Sequence, residues 1–442
     1  MQNKTWTTEN ILASLEIDAL NEMQLASIDA NQKNDNVILL SDTGSGKTIG
    51  FLLPVLELLD PQKTKSQALI IVPSRELALQ IEQVFKKMGT AFKVTCCYGG
   101  HLRETEENNL LQPPALLIGT PGRLADHIRR GNITTDTIET LVLDEFDKSL
   151  ELGFQEEISF IISQLKGIKK RILTSATEAV AIPAFLGMDS PARLNYSGTG
   201  NADTEKLWVK KLESPDKDKA DTLFRLICAL GNRSAIVFCN HRESVERTSV
   251  ILKEKGIVNV FYHGALEQQE RDSALCKFRN GTANVLVTTD LASRGLDIPN
   301  IRYIIHYHLP ATEDVYTHRN GRTARMEASG TIILIVSPEE KLPAYIPADT
   351  ESFELPETAL LPEKPKWTTL FISAGKKDKV NKIDIVGFLS HKGLLKKEDI
   401  GLIEVKDFFS FVAIRKSKAS DTLQKIKTEK IKGHKVRIDV AK

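Results

Sequence analysis

The stretch SDTGSGKTIGF, residues 41–51, follows the apolar run NVILL (36–40) and leads into a further apolar stretch with helical spacing. It therefore sits where a strand passes into a helix. A Gly-rich turn at that place directs backbone N–H groups and a helix N-terminus toward one point, a geometry suited to a phosphate. The strict loop pattern GxxxxGK[ST] asks for glycine where Ser41 stands, so a plain flexible turn is the competing reading until a partner is found.

Outward from this loop, short apolar runs alternate with helical patterns: ALIIV (68–72), VTCCY (94–98), ALLIG (115–119), LVL (141–143) and RILTS (171–175). The rhythm restarts after SPDKDK with AIVFC (235–239), NVFY (259–262), NVLVTT (284–289) and YIIHY (303–307). Strand-helix alternation of this kind implies parallel sheets, hence two α/β lobes in tandem. A hydrophilic connection falls within 197–220, and Pro356, Pro362 and Pro365 mark a semi-rigid spacer before a third segment.

The partner for the loop is LVLDEFD (141–147). Asp144 follows an apolar strand directly, as a carboxylate facing a magnesium ion should, and Glu145 beside it is placed to polarise an attacking water. With this partner, Lys47 is expected to meet the outer phosphates of a nucleotide and Thr48 the metal. An acidic surface turn explains this tetrapeptide alone, but not both motifs together.

The chain has 442 residues, 41% hydrophobic and 26% charged, ordinary for a globular protein of about three domains. No apolar run approaches the roughly 18 residues of a membrane span, and the first residues lack the layout of a signal peptide, so a cytoplasmic location without membrane contact is expected. Five cysteines without CxxC or Cys/His metal spacing read as reduced thiols. The net charge of +1 hides a split: 19 Lys and Arg face 9 Asp and Glu from Lys366 onward, against 40 and 49 in the remainder. A basic tail on an acidic body suggests a polyanion-binding appendage. A soluble lysine-rich surface is the plainer alternative.

Together with PSRELALQ (73–80), Gly99-Gly100, TPGR (120–123), SAT (175–177), VFCN (237–240), QQER (268–271), TTDLASRGLD (288–297) and HRNGRTAR (318–325), in that order, the chain closely resembles the DEAD-box RNA helicases. The opening loop position in that family is Ala or Ser, which settles Ser41 in favour of the cradle. The resemblance implies an ATP- and magnesium-dependent RNA helicase with two RecA-like lobes. Thr43, Gly44, Ser45, Gly46, Lys47 and Thr48 would hold ATP, with Asp297 and the adenine-reading Gln24. Thr48 and Asp144 would hold magnesium mostly through water, and Arg322 and Arg325 would reach the γ-phosphate as arginine fingers, with Lys47, Asp144 and Glu145 as the other catalytic residues. Arg75, Gly100, Thr120, Arg123 and Arg294 would grip an RNA backbone. Residue types suit these tasks: Pro121 opens a helix and leaves N–H groups free for a phosphate, while Arg322 and Arg325 lie three apart. The chain departs from the family pattern at Phe146, Asn320 and Ala324, and lacks the usual Gly-Phe and Pro-Thr neighbours of Gln24. Phe146 reads as core filler, and Trp6 as a replacement for the upstream aromatic.

From Trp367 the runs TLFIS, KIDIVGFLSHKG, IGLIEV, FSFVAI, SDTLQKIK and KVRIDV give the strand and helix order of an RNA-recognition (RRM-like) α+β fold. Phe371, Phe409 and Phe411 could stack on bases or fill a core. Lys376, Lys377, Lys379 and Arg415 are candidate phosphate contacts. The segment resembles the C-terminal domain of the DEAD-box protein A (DbpA) group, which implies recognition of a hairpin of 23S-type large-subunit ribosomal RNA and a part in ribosome assembly on pre-ribosomal particles. The expected organisation is lobe 1 at 1–200, lobe 2 at 201–355, a Pro-rich linker at 356–366 and the RNA-binding domain at 367–442, acting as a monomer. Open beside this are a general RNA chaperone, a superfamily 2 nucleic-acid-dependent ATPase without ribosomal specificity, and a non-enzymatic RNA-binding scaffold.

Overall fold

The computed structural model describes residues 6–41, 44–100, 102–175, 182–197, 208–293, 301–321, 330–358 and 360–441. Thr43, Arg294, Asp297, Arg322 and Arg325 lie outside the described residues. The chain forms two compact units, one holding the first lobe and the other the second lobe with the C-terminal domain.

The first unit runs α1 (Thr8–Leu15), α2 (Glu22–Lys33), β1 (Asn36–Ser41), α3 (Lys47–Leu58), β2 (Ala68–Ile71), α4 (Arg75–Lys87), β3 (Val94–Cys97), α5 (Arg103–Leu110), β4 (Leu116–Gly119), α6 (Pro121–Arg129), β5 (Thr140–Leu143), α7 (Phe146–Glu151), α8 (Gln155–Gln164), β6 (Lys170–Ser175) and β7 (Ala192–Tyr196). Its seven strands are parallel, in the order β3-β4-β2-β5-β6-β1-β7. The continuous apolar runs follow from burial of both sheet faces. Successive side chains alternate between two cores: Ile70, Ile118 and Val142 pack with Phe51, Val55 and Ile81, while Leu69, Leu117, Leu141 and Leu143 pack with Leu124, Phe146 and Ile158. Edge strand β7, half exposed and interleaved with polar residues, gives no comparable run in the sequence.

Phe146 is 1% exposed within the second of these cores. Phe146→Ala should cost about 3–5 kcal/mol through the cavity it leaves, read as a shift in denaturant or thermal unfolding. Unaltered stability with changed turnover would instead make the ring part of the chemistry.

The second unit contains β8 (Trp208–Glu213), α9 (Ala220–Leu230), β9 (Ala235–Phe238), α10 (Arg242–Glu254), β10 (Asn259–Tyr262), α11 (Gln268–Arg279), β11 (Val285–Thr288), β12 (Tyr303–His306), α12 (Glu313–Asn320) and β13 (Thr331–Val336), a parallel sheet in the order β10-β11-β9-β12-β13-β8. The C-terminal domain follows with β14 (Trp367–Ile372), α13 (Lys382–His391), β15 (Ile400–Val405), β16 (Ser410–Arg415), α14 (Ala419–Ile426), a small hairpin β17 (Lys430–Ile431) and β18 (His434–Lys435), and β19 (Ile438–Val440). Its antiparallel sheet has the order β15-β16-β14-β19. Leu370, Ile372, Val412 and Ile414 face the domain's own helices.

The opposite sheet face carries Trp367, Thr369, Phe371, Phe411 and Arg415, and it is seated on α11 of the second lobe. Cys276 packs with Phe411 and Ala441, flanked by Phe371 and Phe409. Thr369 Oγ1 pairs with Asn280 Nδ2 (3.2 Å) and Thr282 Oγ1 (2.8 Å), and Arg279 meets Glu404 at 3.2 Å. Lys406 and Arg279 hold the Glu404 carboxyl below its ordinary value against the opposing effect of burial. Upstream, Phe353 and Leu355 pack against the second lobe's core, and Phe353 N donates to Lys211 O at 2.7 Å. The aromatic run FFSF thus serves an intramolecular contact at Phe411, which is 1% exposed and closed to base stacking.

Candidate nucleotide and nucleic-acid site

Three neighbouring strand ends of the first lobe converge. β6 lies between β5 and β1, and register sets Leu143 beside Leu173 and Leu40 beside Ser175. Thr174 consequently reaches Asp144: its hydroxyl donates to Asp144 Oδ1 and accepts from Glu145 N at 3.2 Å. Glu145 N also donates to Asp144 Oδ1 at 3.1 Å, with Glu145 itself left-handed (φ 49°, ψ 52°) at the start of α7. Burial raises the Asp144 carboxyl above its ordinary value, opposed by the Thr174 bond and the charge of Lys47.

The loop after β1 enters α3 through Gly46, which has φ 88° and no side-chain cap over the helix N-terminus. A Cβ at Gly46 would stand 2.5 Å from Gln24 Nε2. Lys47 is buried, with its ammonium folded onto Ser41 O. Ser45 Oγ is buried without a hydrogen-bond partner, and Thr48, next to Lys47 in sequence, is half-buried. An uncapped helix start, an orphaned hydroxyl and a backbone too close-packed for any side chain at Gly46 fit a polyphosphate, with Asp144 and Thr48 as oxygen donors suited to magnesium.

Gln24 does not point free into this site. Asn21 and Gln24 form a reciprocal capping box on α2, with Gln24 Oε1 accepting from Asn21 N at 3.0 Å. Gln24 Nε2 donates to Gly46 O at 3.1 Å and Asn21 Nδ2 to Ser45 O at 2.9 Å. Both side chains therefore brace the loop. The signal for Asn21 was available: it stands three residues before Gln24, the capping-box spacing.

The other first-lobe candidates also cluster. Arg75, at the start of α4, lies over the Tyr98 ring at 4.7 Å. Tyr98 leads into Gly99 and Gly100, the latter at φ 91°. Thr120 caps α6 without a side-chain bond, Pro121 occupies the first turn, and space around Gly122 is open. Arg123 pairs with Glu106 at 2.9 Å.

In the second lobe, Arg319 is fully buried and ties three adjacent strand ends together. It pairs with Asp290, donates to Asn240 Oδ1 at 2.8 Å and to His308 O at 2.9 Å, and lies over Phe238. Asn320 meets His306 at 2.9 Å. Burial and the Arg319 charge push His306 down to about 3, so it is neutral. Asn320 and His306 thereby satisfy each other within the interior, giving the departure at 320 a partner. Lys376, Lys377 and Lys379 are exposed on the turn after β14, whereas the Arg415 guanidinium lies over Trp367 at 4.4 Å, on the face turned to α11.

Comparison with known proteins matches residues 21–182 to the DEAD/DEAH box helicase model, 218–327 to the helicase conserved C-terminal domain and 369–440 to the DbpA RNA binding domain. The ATP-dependent RNA helicase DbpA of Escherichia coli (strain K12) is 32% identical over 454 residues, covering 99% of both chains. The chain belongs to the DEAD-box ATP-dependent RNA helicases, DbpA group. The Bacillus subtilis (strain 168) DbpA is 29% identical, covering 95% of this chain and 94% of its own. Among solved structures, Saccharomyces cerevisiae Dbp5 bound to RNA and ADP BeF3 aligns with a TM-score of 0.66 at 26% identity, over 75% of this chain and 88% of its own. DEAD-box helicase Mss116 bound to ssRNA and UDP-BeF aligns at 0.67 and 25% identity, over 75% and 73%. This DEAD-box chain thus has two RecA-like lobes and an RRM-like domain. Among the described residues, no helix is long and apolar enough to cross a membrane.

Proposed function

We propose that this helicase hydrolyses ATP in the first-lobe site and couples hydrolysis to local unwinding of RNA duplexes, and that its C-terminal domain directs it to a hairpin of large-subunit ribosomal RNA during ribosome assembly. The carrying observation is the joining of an uncapped, Gly46-centred cradle and the buried Asp144–Thr174 pair to a DbpA-type domain in one chain. Lys47 binds the outer phosphates and Glu145 orients the attacking water. Thr48 and Asp144 would hold magnesium, which when bound would supply positive charge toward the phosphates. Arg322, Arg325, Asp297 and Arg294 enter this reading from the sequence alone. The first-lobe turns at Arg75, Gly100 and Thr120 grip the RNA backbone, which implies little base preference there. Hairpin preference then belongs to the tail, where Lys376, Lys377 and Lys379 stand exposed.

The test is ATP turnover against RNA concentration for large-subunit ribosomal RNA, its fragments and unrelated RNA. One ribosomal fragment should stimulate at a concentration at least about tenfold lower than the others. Replacing Lys376, Lys377 and Lys379 together by Ala should erase that advantage and flatten its salt dependence, while saturating unstructured RNA still stimulates. Point variants serve better than deletion of the domain, which would strip the apolar cover from Cys276. Equal stimulation by all RNAs would leave a general RNA helicase without ribosomal preference.

A further inference from the structure

Glu106, on α5, belongs to none of the recognised motifs, yet two candidate RNA-gripping segments meet on its side chain and a third, at Arg75, reaches it through Tyr98. The residue is 1% exposed. Its Oε1 accepts from Tyr98 N at 2.8 Å, fixing the backbone that opens into Gly99-Gly100 and the ring beneath Arg75. Its Oε2 accepts from Arg123 Nη1 at 2.9 Å and lies 2.6 Å from His127 Nε2, both on α6. Asn132 Nδ2 lies 3.0 Å from His127 Nδ1. The amide can only donate there, so the ring proton sits on Nε2 and is given to Glu106. One buried carboxylate thus takes donors from the turn after β3 and from α6, and holds the first turn of α6 against β3.

Cys97 Sγ lies close enough to Glu106 and His127 for the three to offer ligand atoms to one metal ion. The carboxylate is already committed to Arg123, His127 and Tyr98, and the guanidinium puts a positive charge where a cation would sit. Burial, then the Glu106 charge, raise the Cys97 thiol well above its ordinary value, keeping it protonated. The cluster is therefore an internal brace.

We propose that Glu106 is a positioning residue for RNA binding, and that Arg123 acts through it. The ion pair fixes the uncapped N-terminus of α6 and the Tyr98–Gly100 turn in one register, so that backbone N–H groups of both meet the RNA phosphates. The Arg123 charge is spent on Glu106 and makes no phosphate contact of its own. This rests on the reading of the first lobe as an RNA-backbone grip.

In Glu106→Gln one end of the side chain becomes a donor. Turned toward Arg123 and His127 it opposes two donors; flipped, it opposes Tyr98 N–H. The full-length chain should show the KM for a single-stranded RNA in stimulated ATP turnover raised about tenfold or more, the effect falling on KM and not on turnover at saturating RNA. Arg123→Ala, at a side chain 16% exposed, should do the same, with thermal unfolding of the variant measured alongside because the buried Glu106 carboxylate loses a charged partner. The double variant should be no worse than the worse single one, because both break one interaction. Arg123→Lys, which can still pair with Glu106, should restore KM to within about threefold. The slope of log affinity against log salt should match the parent in Arg123→Ala. A slope reduced by about 0.7 with additive effects would mean that Arg123 touches a phosphate directly, and the positioning role would fall while the RNA grip stood. If no variant alters KM for RNA, the RNA reading of these turns falls as well.

Discussion

Glu145→Gln should lower ATP turnover by about 10²–10⁴-fold while nucleotide and RNA affinities stay close to the parent. The carboxamide keeps the volume of the side chain, and the backbone of residue 145 is held independently of it, through N–H bonds to Asp144 and Thr174. The left-handed conformation at 145 is therefore expected to survive the change. What is lost is the negative charge that, in the proposed mechanism, orients water and draws its proton, a function confined to the transition state. Single-turnover hydrolysis beside a fluorescent-nucleotide titration separates the two effects. Nucleotide affinity falling in step with turnover would show that Glu145 is structural.

Lys47→Ala should weaken ATP binding by roughly 100-fold, since a charged hydrogen-bond donor contributes about 1.5–3 kcal/mol and Lys47 faces more than one phosphate oxygen in the proposed complex. Its ammonium rests on Ser41 O, a contact within its own loop that it can exchange for phosphate without moving an element. The loop itself should persist, because Asn21 and Gln24 brace Ser45 and Gly46 from α2. Equal nucleotide affinity in parent and variant, measured by titration calorimetry, would remove SDTGSGKT as the cradle.

The parallel lobes were legible because buried strands write themselves as unbroken apolar runs, and the loop and acidic box because their chemistry demands fixed residue types next to those runs. Three kinds of information were not. Edge strand β7 mixes polar and apolar residues and carries no run. Thr174 and Glu106 act through partners 30 and 8 or more positions away, and nothing local to a threonine or a glutamate announces such a partner. The tail aromatics pose a different difficulty. Period-two alternation separates the two faces of β14 and β16 correctly, but a face that binds RNA and a face that binds another domain select the same large flat side chains. Only the placement of α11 distinguishes them. The capping box of Asn21 and Gln24 was readable from their spacing, but not its bracing of the loop, since the amide that could read a base is equally suited to hold a backbone.

The seating of the tail on α11 makes the second lobe and the RNA-binding domain partners in one folding equilibrium. Their shared boundary contains a buried cysteine, a phenylalanine, threonine hydrogen bonds and an ion pair, all of which are broken if either side melts. A ligand that binds only the folded tail therefore also holds the second lobe together, by about 2.7 kcal/mol when present at one hundred times its dissociation constant if the two sides unfold as one. The second lobe would then melt later whenever an RNA is bound to the tail, even without a contact of its own to that RNA. Calorimetry with and without the RNA would record a target on one domain as heat resistance in its neighbour.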